Sequence, residues 1–289
     1  MATILLQHPQ ILAEALGLKS LADTLFKMPL TEWGWEITEE ELLSWIIQYD
    51  NDVILLNKPP LVVCHPSKRG PWSSLVGAFR ECLGYERTHL IARLDRETSG
   101  IILLAKHRLS ARHLQMALEK RATKKCYLAI LEGELGEPAF VDAPIGKDPE
   151  SIIHSKSAVL TKGRRQDAQT IFSPLHCGRN YTLAKVEPLT GRKHQIRVHA
   201  QHIGHSIVGD KLYGPDESLF LEFIESGWTD HLAHSLPLNR HALHSYYMEF
   251  ELESGNREFK APPSTDLVAF CQEYIGIEIS DFLESIPSS

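Results

Sequence analysis

Four charged residues, Arg93, Asp95, Arg96 and Glu97, lie within five positions in the stretch HLIARLDRETSGIILLAK, residues 89–106. They stand directly ahead of Ile101–Ala105, an unbroken apolar run of the kind that fills a buried strand. A free aspartate titrates near 3.9, and an opposite charge within reach lowers that by roughly 1 to 3 units. An aspartate flanked by guanidinium groups is therefore suited to stay anionic in a partly desolvated place. Such a carboxylate is a nucleophile or an electrostatic stabiliser, not a general acid. The same charges also fit a solvated turn or a structural Asp–Arg pair at a strand entrance. Glycoside hydrolysis would need a second carboxylate about 5 to 9 Å from the first, and Glu97 is the only local candidate.

A second concentration of chemistry is HQIRVHAQHIGH, which holds His194, His199, His202 and His205. No carboxylate partner and no H-E-x-x-H accompanies these histidines, so a zinc site is not indicated. Helical spacing puts Ile196, His199, Ala200 and Ile203 on one face, and His194, Arg197 and Gln201 on another. On that pattern His194 is a polar site residue and His199 belongs to a packed face. Arg197 can be read as a surface helix cation, and Tyr127 as an ordinary strand aromatic.

These residues need elements to position them. Residues 10–26 carry apolar side chains at helical spacing, and Thr38 with Glu41 forms a capping box for a short helix. WIIQYDNDVILLNKPP reads as two strands about an Asp50-Asn51-Asp52 turn, stopped by Pro59 and Pro60. Ser110 is placed to cap a helix running to about Lys120. KCYLAILEG and YTLAKVEPL read as strands, and residues 137–170 as turns and polar connections. Gly204 is placed to end the His-rich helix. HALHSYYMEFEL and REFKAPP complete a strand-rich second half. Strands outnumber helices without alternating with them, which predicts an α+β fold rather than a doubly wound sheet.

The net charge is −7, but it is uneven. Residues 1–52 hold nine acidic and two basic side chains, and residues 249–289 hold nine and two again, so each end carries −7 and residues 53–248 carry +7. Acidic ends around a basic middle suit a protein that grips phosphates in one place. Apolar content of 43% and the lack of any run near the roughly 18 apolar residues of a membrane helix exclude an integral membrane class. The N-terminus has neither a basic flank nor a cleavage pattern, so no leader is expected. Five scattered cysteines without C-x-x-C predict reduced thiols in a cytoplasmic protein.

Five segments occur in order: NKPPLVVCHP, ARLDRETSGIILLAK, KKCYLAILEG, LTGRKHQIRVHAQHIGHSIVGDKLYG and RHALHSYYMEF. Together they closely resemble the catalytic domain of the RluA-type family of RNA pseudouridine synthases, over roughly residues 44–263. The resemblance implies an α+β pseudouridine synthase fold, with an extended mixed, mostly antiparallel sheet flanked by helices and loops around a central cleft. It implies a catalytic domain from residue 44 to 289, with residues 1–43 an acidic extension of the wrong charge for the basic RNA-binding domain of many relatives. It carries the catalytic aspartate onto Asp95, the base-stacking tyrosine onto Tyr127, and the arginine that pairs with the aspartate onto Arg197. Arg93 then braces the space vacated by a flipped base, and Arg96, Arg192, Lys193 and His194 are RNA contacts. The implied substrate is ribosomal or transfer RNA, with no metal, no nucleotide cofactor and no membrane partner, and a monomer is expected. One departure stands beside the motif: Ala92 replaces the usual histidine before R-L-D, which predicts altered substrate fit. The competing reading is an RNA-binding protein that keeps the fold without the chemistry.

Overall fold

A computed structural model describes residues 36–65, 71–84, 87, 89–284 and 286. The helix expected over residues 10–26 lies outside the described residues. The chain forms two compact units, residues 1–122 with 250–262, and residues 123–249 with 263–289.

In the first unit, helix α1 (Glu39–Ser44) starts at the expected capping box. Thr38 Oγ1 accepts the Glu41 N–H at 3.1 Å, and Glu41 Oε2 accepts the Thr38 N–H at 3.1 Å. Strands β1 (Ile46–Tyr49) and β2 (Val53–Lys58) form the expected antiparallel hairpin. The Asp50 carboxylate closes its turn by accepting the Asp52 and Val53 N–H groups, each at 2.8 Å. After helix α2 (Leu75–Leu83) come β3 (His89–Leu90) and β4 (Ser99–Ala105); β4 pairs antiparallel with both β2 and β3. All seven residues of β4 are buried, as the apolar run required. Leu42, Ile54, Leu56, Phe79, Ile102 and Leu104 are in the core that fixes this strand.

Helix α3 (Arg108–Glu119) begins three residues before the start expected from a Ser110 cap. His107 is the cap instead, its Nδ1 accepting the Ser110 N–H at 3.3 Å. The Ser110 hydroxyl is inside the first turn and bonds the carbonyls of Asp52 and His107, each at 3.0 Å. An imidazole nitrogen can serve where a hydroxyl is the commoner choice, so the serine misled.

The second unit is built on β5 (Thr123–Glu132), β6 (Ala139–Asp142), β10 (Gln169–Gly178), β11 (Tyr181–Pro188) and β12 (Leu243–Leu252). Their order is β12-β5-β11-β10-β6, and the β5–β11, β11–β10 and β10–β6 pairs are antiparallel. Between β6 and β10, where only turns were expected, β7 (Ile145–Lys147), β8 (Ser157–Val159) and β9 (Arg165–Gln166) make a small sheet. Strands of two or three residues are too short to display an alternating pattern.

Helix α4 (Gln195–His202) ends at Gly204, whose φ of +80° is the left-handed conformation that glycine supplies. Helices α5 (Ser218–Ser226) and α6 (Asp230–Ser235) precede β12. Strand β13 (Gly255–Lys260) pairs with β12, and α7 (Thr265–Phe270) and α8 (Ser280–Leu283) end the chain. The acidic C-terminal residues are a packed part of this unit: Phe270, Cys271, Ile275 and Ile279 are buried in its core. The observed architecture is the α+β class expected.

Candidate active site

In the first unit, Asp95 is half-buried in the loop between β3 and β4, and its carbonyl accepts the Thr98 N–H at 3.1 Å. Arg93 and Arg96 are exposed, while Ala92 and Glu97 are half-buried. The loop is stitched to the segment after β2 by three contacts. The Arg96 Nε–H donates to the Leu61 carbonyl at 3.2 Å, and the Cys64 thiol to the Leu94 carbonyl at 3.5 Å. The third comes from Lys58, which is fully buried: its ammonium donates to the carbonyls of Pro59, Val62 and Arg96 at 2.9, 3.0 and 3.1 Å. A buried ammonium is tolerated only when its donors are satisfied, and three carbonyls do so here. Lys58 thereby ties the peptide next to Asp95 to the end of β2. Sequence reasoning gave this lysine no role. The available signal was a charge closing the apolar run VILLN, with two prolines beyond that leave carbonyls without ladder partners.

In the second unit, alternation along the strands decides which side chains share a face. Thr170 and Phe172 are two apart on β10; Phe172 lies opposite Val186 of β11, and Val186 opposite Tyr127 of β5. Helix α4 covers this face, because Gln195 Nε2 donates to Thr170 Oγ1 at 2.9 Å and His199 Nδ1 meets the same oxygen at 2.8 Å. Tyr127 is half-buried there and packs on the core.

Arg197 is not a surface cation. It is 7% exposed, and every residue from Gln195 to Ala200 is buried, whereas Gln201 on the same face as Arg197 is exposed. Its partner is Asp210, fully buried, which accepts Nε–H at 2.6 Å and Nη2–H at 2.8 Å in a two-point ion pair. Asp210 also accepts the backbone N–H groups of Leu212 and Tyr213, each at 3.0 Å. Burial alone would push the Asp210 carboxyl up. The Arg197 charge and hydrogen bonds, helped by the Tyr213 N–H, outweigh it and hold the group below the usual carboxylate range. The Arg197 guanidinium carbon also lies 4.9 Å from the centre of the Tyr213 ring. Asp210 and Tyr213 belong to GDKLYG, whose chemistry sequence reasoning left unassigned. An aspartate inside the run IVGDKLYG could have been flagged, since a buried carboxylate demands a cation.

His194 caps α4 from a left-handed conformation, φ +56°. Its Nδ1 lies 2.8 Å from the Tyr213 hydroxyl, which accepts the Ser157 N–H at 2.9 Å. Burial pushes the Tyr213 phenol up to about 12, so it keeps its proton. His199 is buried between Thr170 and the Ala143 carbonyl, 2.9 Å from Nε2, and burial lowers it below the ordinary imidazole value. Both its nitrogens are committed to packing contacts, as its apolar helical face suggested. Gln195 fastens the preceding turn, its Oε1 accepting from Thr190 Oγ1 at 2.7 Å and the Arg192 N–H at 3.0 Å. Arg192 Nε–H donates to the Asp167 carbonyl at 2.9 Å, and Lys193 to that of Ser155 at 2.9 Å. Arg192 is thus steadied through Nε and Lys193 through its ammonium by the region that holds the small sheet.

The second unit therefore offers a fixed guanidinium on a helix covering the face that carries a half-buried tyrosine ring. The first offers a half-buried carboxylate on a loop anchored at the entrance to a buried strand.

Comparison with known proteins bears on these motifs. A family model described as RNA pseudouridylate synthase matches residues 52–202. An uncharacterized RNA pseudouridine synthase of Chloroflexus aurantiacus is 36% identical over 219 residues, covering 73% of this chain and 63% of the relative. One from Bacillus subtilis is 34% identical over 250 residues, covering 84% of this chain and 81% of the relative. The ribosomal large subunit pseudouridine synthase D of Vibrio parahaemolyticus is 31% identical over 248 residues, covering 83% and 73%. In fold, the chain is similar to human RNA Pseudouridylate Synthase Domain Containing 4. That match has a TM-score of 0.63 at 23% identity, and it covers 81% of this chain and 94% of that one. With the R-L-D, K-x-Y and T-G-R-x-H-Q-I-R motifs on the elements just described, the chain belongs to the RNA pseudouridylate synthase family, of the RluA type.

Proposed function

We propose that this protein isomerises specific uridines to pseudouridine in structured ribosomal or transfer RNA, in the cytoplasm, with Asp95, Tyr127 and Arg197 in the catalytic roles. The observation that carries the reading is Arg197, held rigidly by Asp210 on the helix that covers the Tyr127 face. Arginine fixed in a dry place is what a reaction needs if a neighbouring carboxylate must stay ionised. Five free thiols support a reducing compartment.

In the proposed reaction the target nucleotide leaves its stack, at a cost of a few kcal/mol, and Arg93 fills the gap. The Asp95 carboxylate attacks C1′ or assists departure of the base, so the C1′–N1 bond breaks and its electrons go to uracil. The uracil turns while stacked on Tyr127, and C5 bonds to C1′ as any Asp95–C1′ ester bond breaks and returns the free carboxylate. Tyr127, directly or through a water it positions, takes the C5 proton, and N1 gains one. Atoms and electrons balance within the substrate. Arg96, Arg192, Lys193 and His194 steady the RNA, largely through phosphates, and Ala92 alters fit around the base.

The test is incubation with in vitro transcribed ribosomal and transfer RNA carrying labelled uridine, followed by nucleoside analysis. Pseudouridine from the wild type, and none from Asp95→Asn with RNA affinity retained, is the expected result. Free uracil would indicate glycoside hydrolysis, and no product from the wild type would indicate RNA binding without chemistry. Turnover by Asp95→Asn would remove the nucleophile assignment.

A further inference from the structure

Lysine side chains taken out of water normally carry their partners with them, because an unpaired ammonium is costly to desolvate. Five of the lysines in this chain that are not exposed obey this. Lys58, Lys106, Lys156, Lys185 and Lys211 each place Nζ within 3.1 Å of a carbonyl, carboxylate or hydroxyl oxygen. Lys125 does not. It is half-buried on β5, and among the described residues its ammonium makes no hydrogen bond or ion pair. Burial lowers its pKa, with no compensating charge. Its neighbour Lys124 points to the opposite face of the strand, where it meets Glu249 at 3.4 Å. A lysine that merely decorated the surface would lie in water; one that served packing would be bonded.

Its position says what it is for. Lys125 is two residues before Tyr127 on a regular strand, so the two side chains stand on one face, about 6.6 Å apart along the chain. That is the face α4 covers through Gln195 and His199. A pyrimidine seated on the Tyr127 ring brings its own sugar and flanking phosphates with it, and these are the anions within a lysine's reach of that ring. We propose that Lys125 binds a backbone phosphate of the nucleotide seated on Tyr127, its missing counter-ion being supplied by the RNA. This rests on the isomerase reading and adds a substrate contact to it. The arrangement gives recognition independent of sequence: every nucleotide carries the phosphate, but only one that has left its stack can bring it this deep. It also differs from Arg192 and Lys193, which lie on the turn before α4 and are braced by backbone carbonyls.

The experiment is fluorescence anisotropy with a labelled twelve-nucleotide uridine RNA over a salt series, for the wild type, Lys125→Met, Lys125→Arg and the exposed control Lys120→Met. Single-strand binding loses about 0.7 in the slope of log K against log salt for each phosphate contact removed. Lys125→Met is expected to weaken binding roughly ten-fold and to lower the slope by that amount, whereas Lys125→Arg keeps the slope. Removal of an unpaired buried charge is also expected to raise the melting temperature, so a folding defect is not what the binding loss would report. A slope unchanged in Lys125→Met, a loss equalled by Lys120→Met, or no affinity of the wild type for the oligonucleotide would overturn the assignment. Isomerisation of transcripts is scored separately: a wild type that binds with the Lys125-dependent slope but makes no pseudouridine sinks the isomerase reading and not this contact. Loss of turnover in Lys125→Met at an unchanged slope would assign the ammonium to the uracil carbonyls instead and refute the phosphate.

Discussion

Replacing Asp210 by asparagine probes the ion pair that holds Arg197 in the second unit. Asparagine keeps one carbonyl oxygen in place for the Leu212 and Tyr213 N–H groups and for Arg197 Nη2, but turns an amide donor toward Nε–H, which Asp210 accepted at 2.6 Å. Both partners are buried, so the guanidinium faces a repelling donor where it had a charged carboxylate oxygen. Breaking such a pair on one side costs about 3 to 5 kcal/mol, and the bonds that asparagine keeps put this variant near 3. For a chain of this size that is a fall in melting temperature of about 6 to 12 °C. The pH dependence gives a second readout. The free aspartate titrates near 3.9, and in the fold Asp210 is held lower. The pair's contribution is therefore complete above about pH 4 and is lost as the pH falls through the lower folded value. Thermal melts followed by circular dichroism from pH 7 to pH 3 should show the wild type losing stability in acid and Asp210→Asn losing less of it. A variant that melts with the wild type at pH 7, or keeps the full acid limb, would refute the argument that Arg197 is held by charge.

Two further perturbations address other supports of the site. Lys58→Met leaves the carbonyls of Pro59, Val62 and Arg96 without their donor, so a loss of about 3 kcal/mol is expected as a lower urea midpoint at unchanged slope, and with it slower isomerisation at temperatures where the variant is folded. His199→Gln can still bond Thr170 and the Ala143 carbonyl, but it cannot titrate. Because the folded imidazole lies below its ordinary value, its stabilisation is present above about pH 6.5 and lost as the pH falls through the folded value; denaturation at pH 8 and pH 5 should show the wild type's advantage over the variant shrinking in acid.

The sequence was most readable where one interaction decides a local shape. The Thr38–Glu41 box, the Asp50 turn, the apolar β4 and the glycine after α4 each depend on residues within a few positions, and each stands where it was expected. The start of α3 was misplaced because a histidine took the capping role that a nearby serine advertised. The strands between residues 139 and 166 escaped because two to four residues cannot show a period. Asp95, Tyr127 and Arg197 were proposed from motifs, whereas Lys58 and Asp210, which anchor the Asp95 loop and Arg197, were not singled out. Those two act across 38 and 13 positions of chain, and no local pattern announces a partner at such separations. Arg197 was assigned to a polar helical face and is buried while Gln201 on that face is exposed, since periodicity shows a contrast between faces and not how far along the helix each is enclosed.

The Arg197–Asp210 contact uses one edge of the guanidinium, Nε with Nη2. Arginine has the most rotatable bonds of any side chain, and ordering it costs about 1.5 to 2 kcal/mol. Here that loss is settled as the polypeptide matures, before any visitor arrives. A newcomer meets a finished shape, and none of its affinity goes into taming a floppy arm.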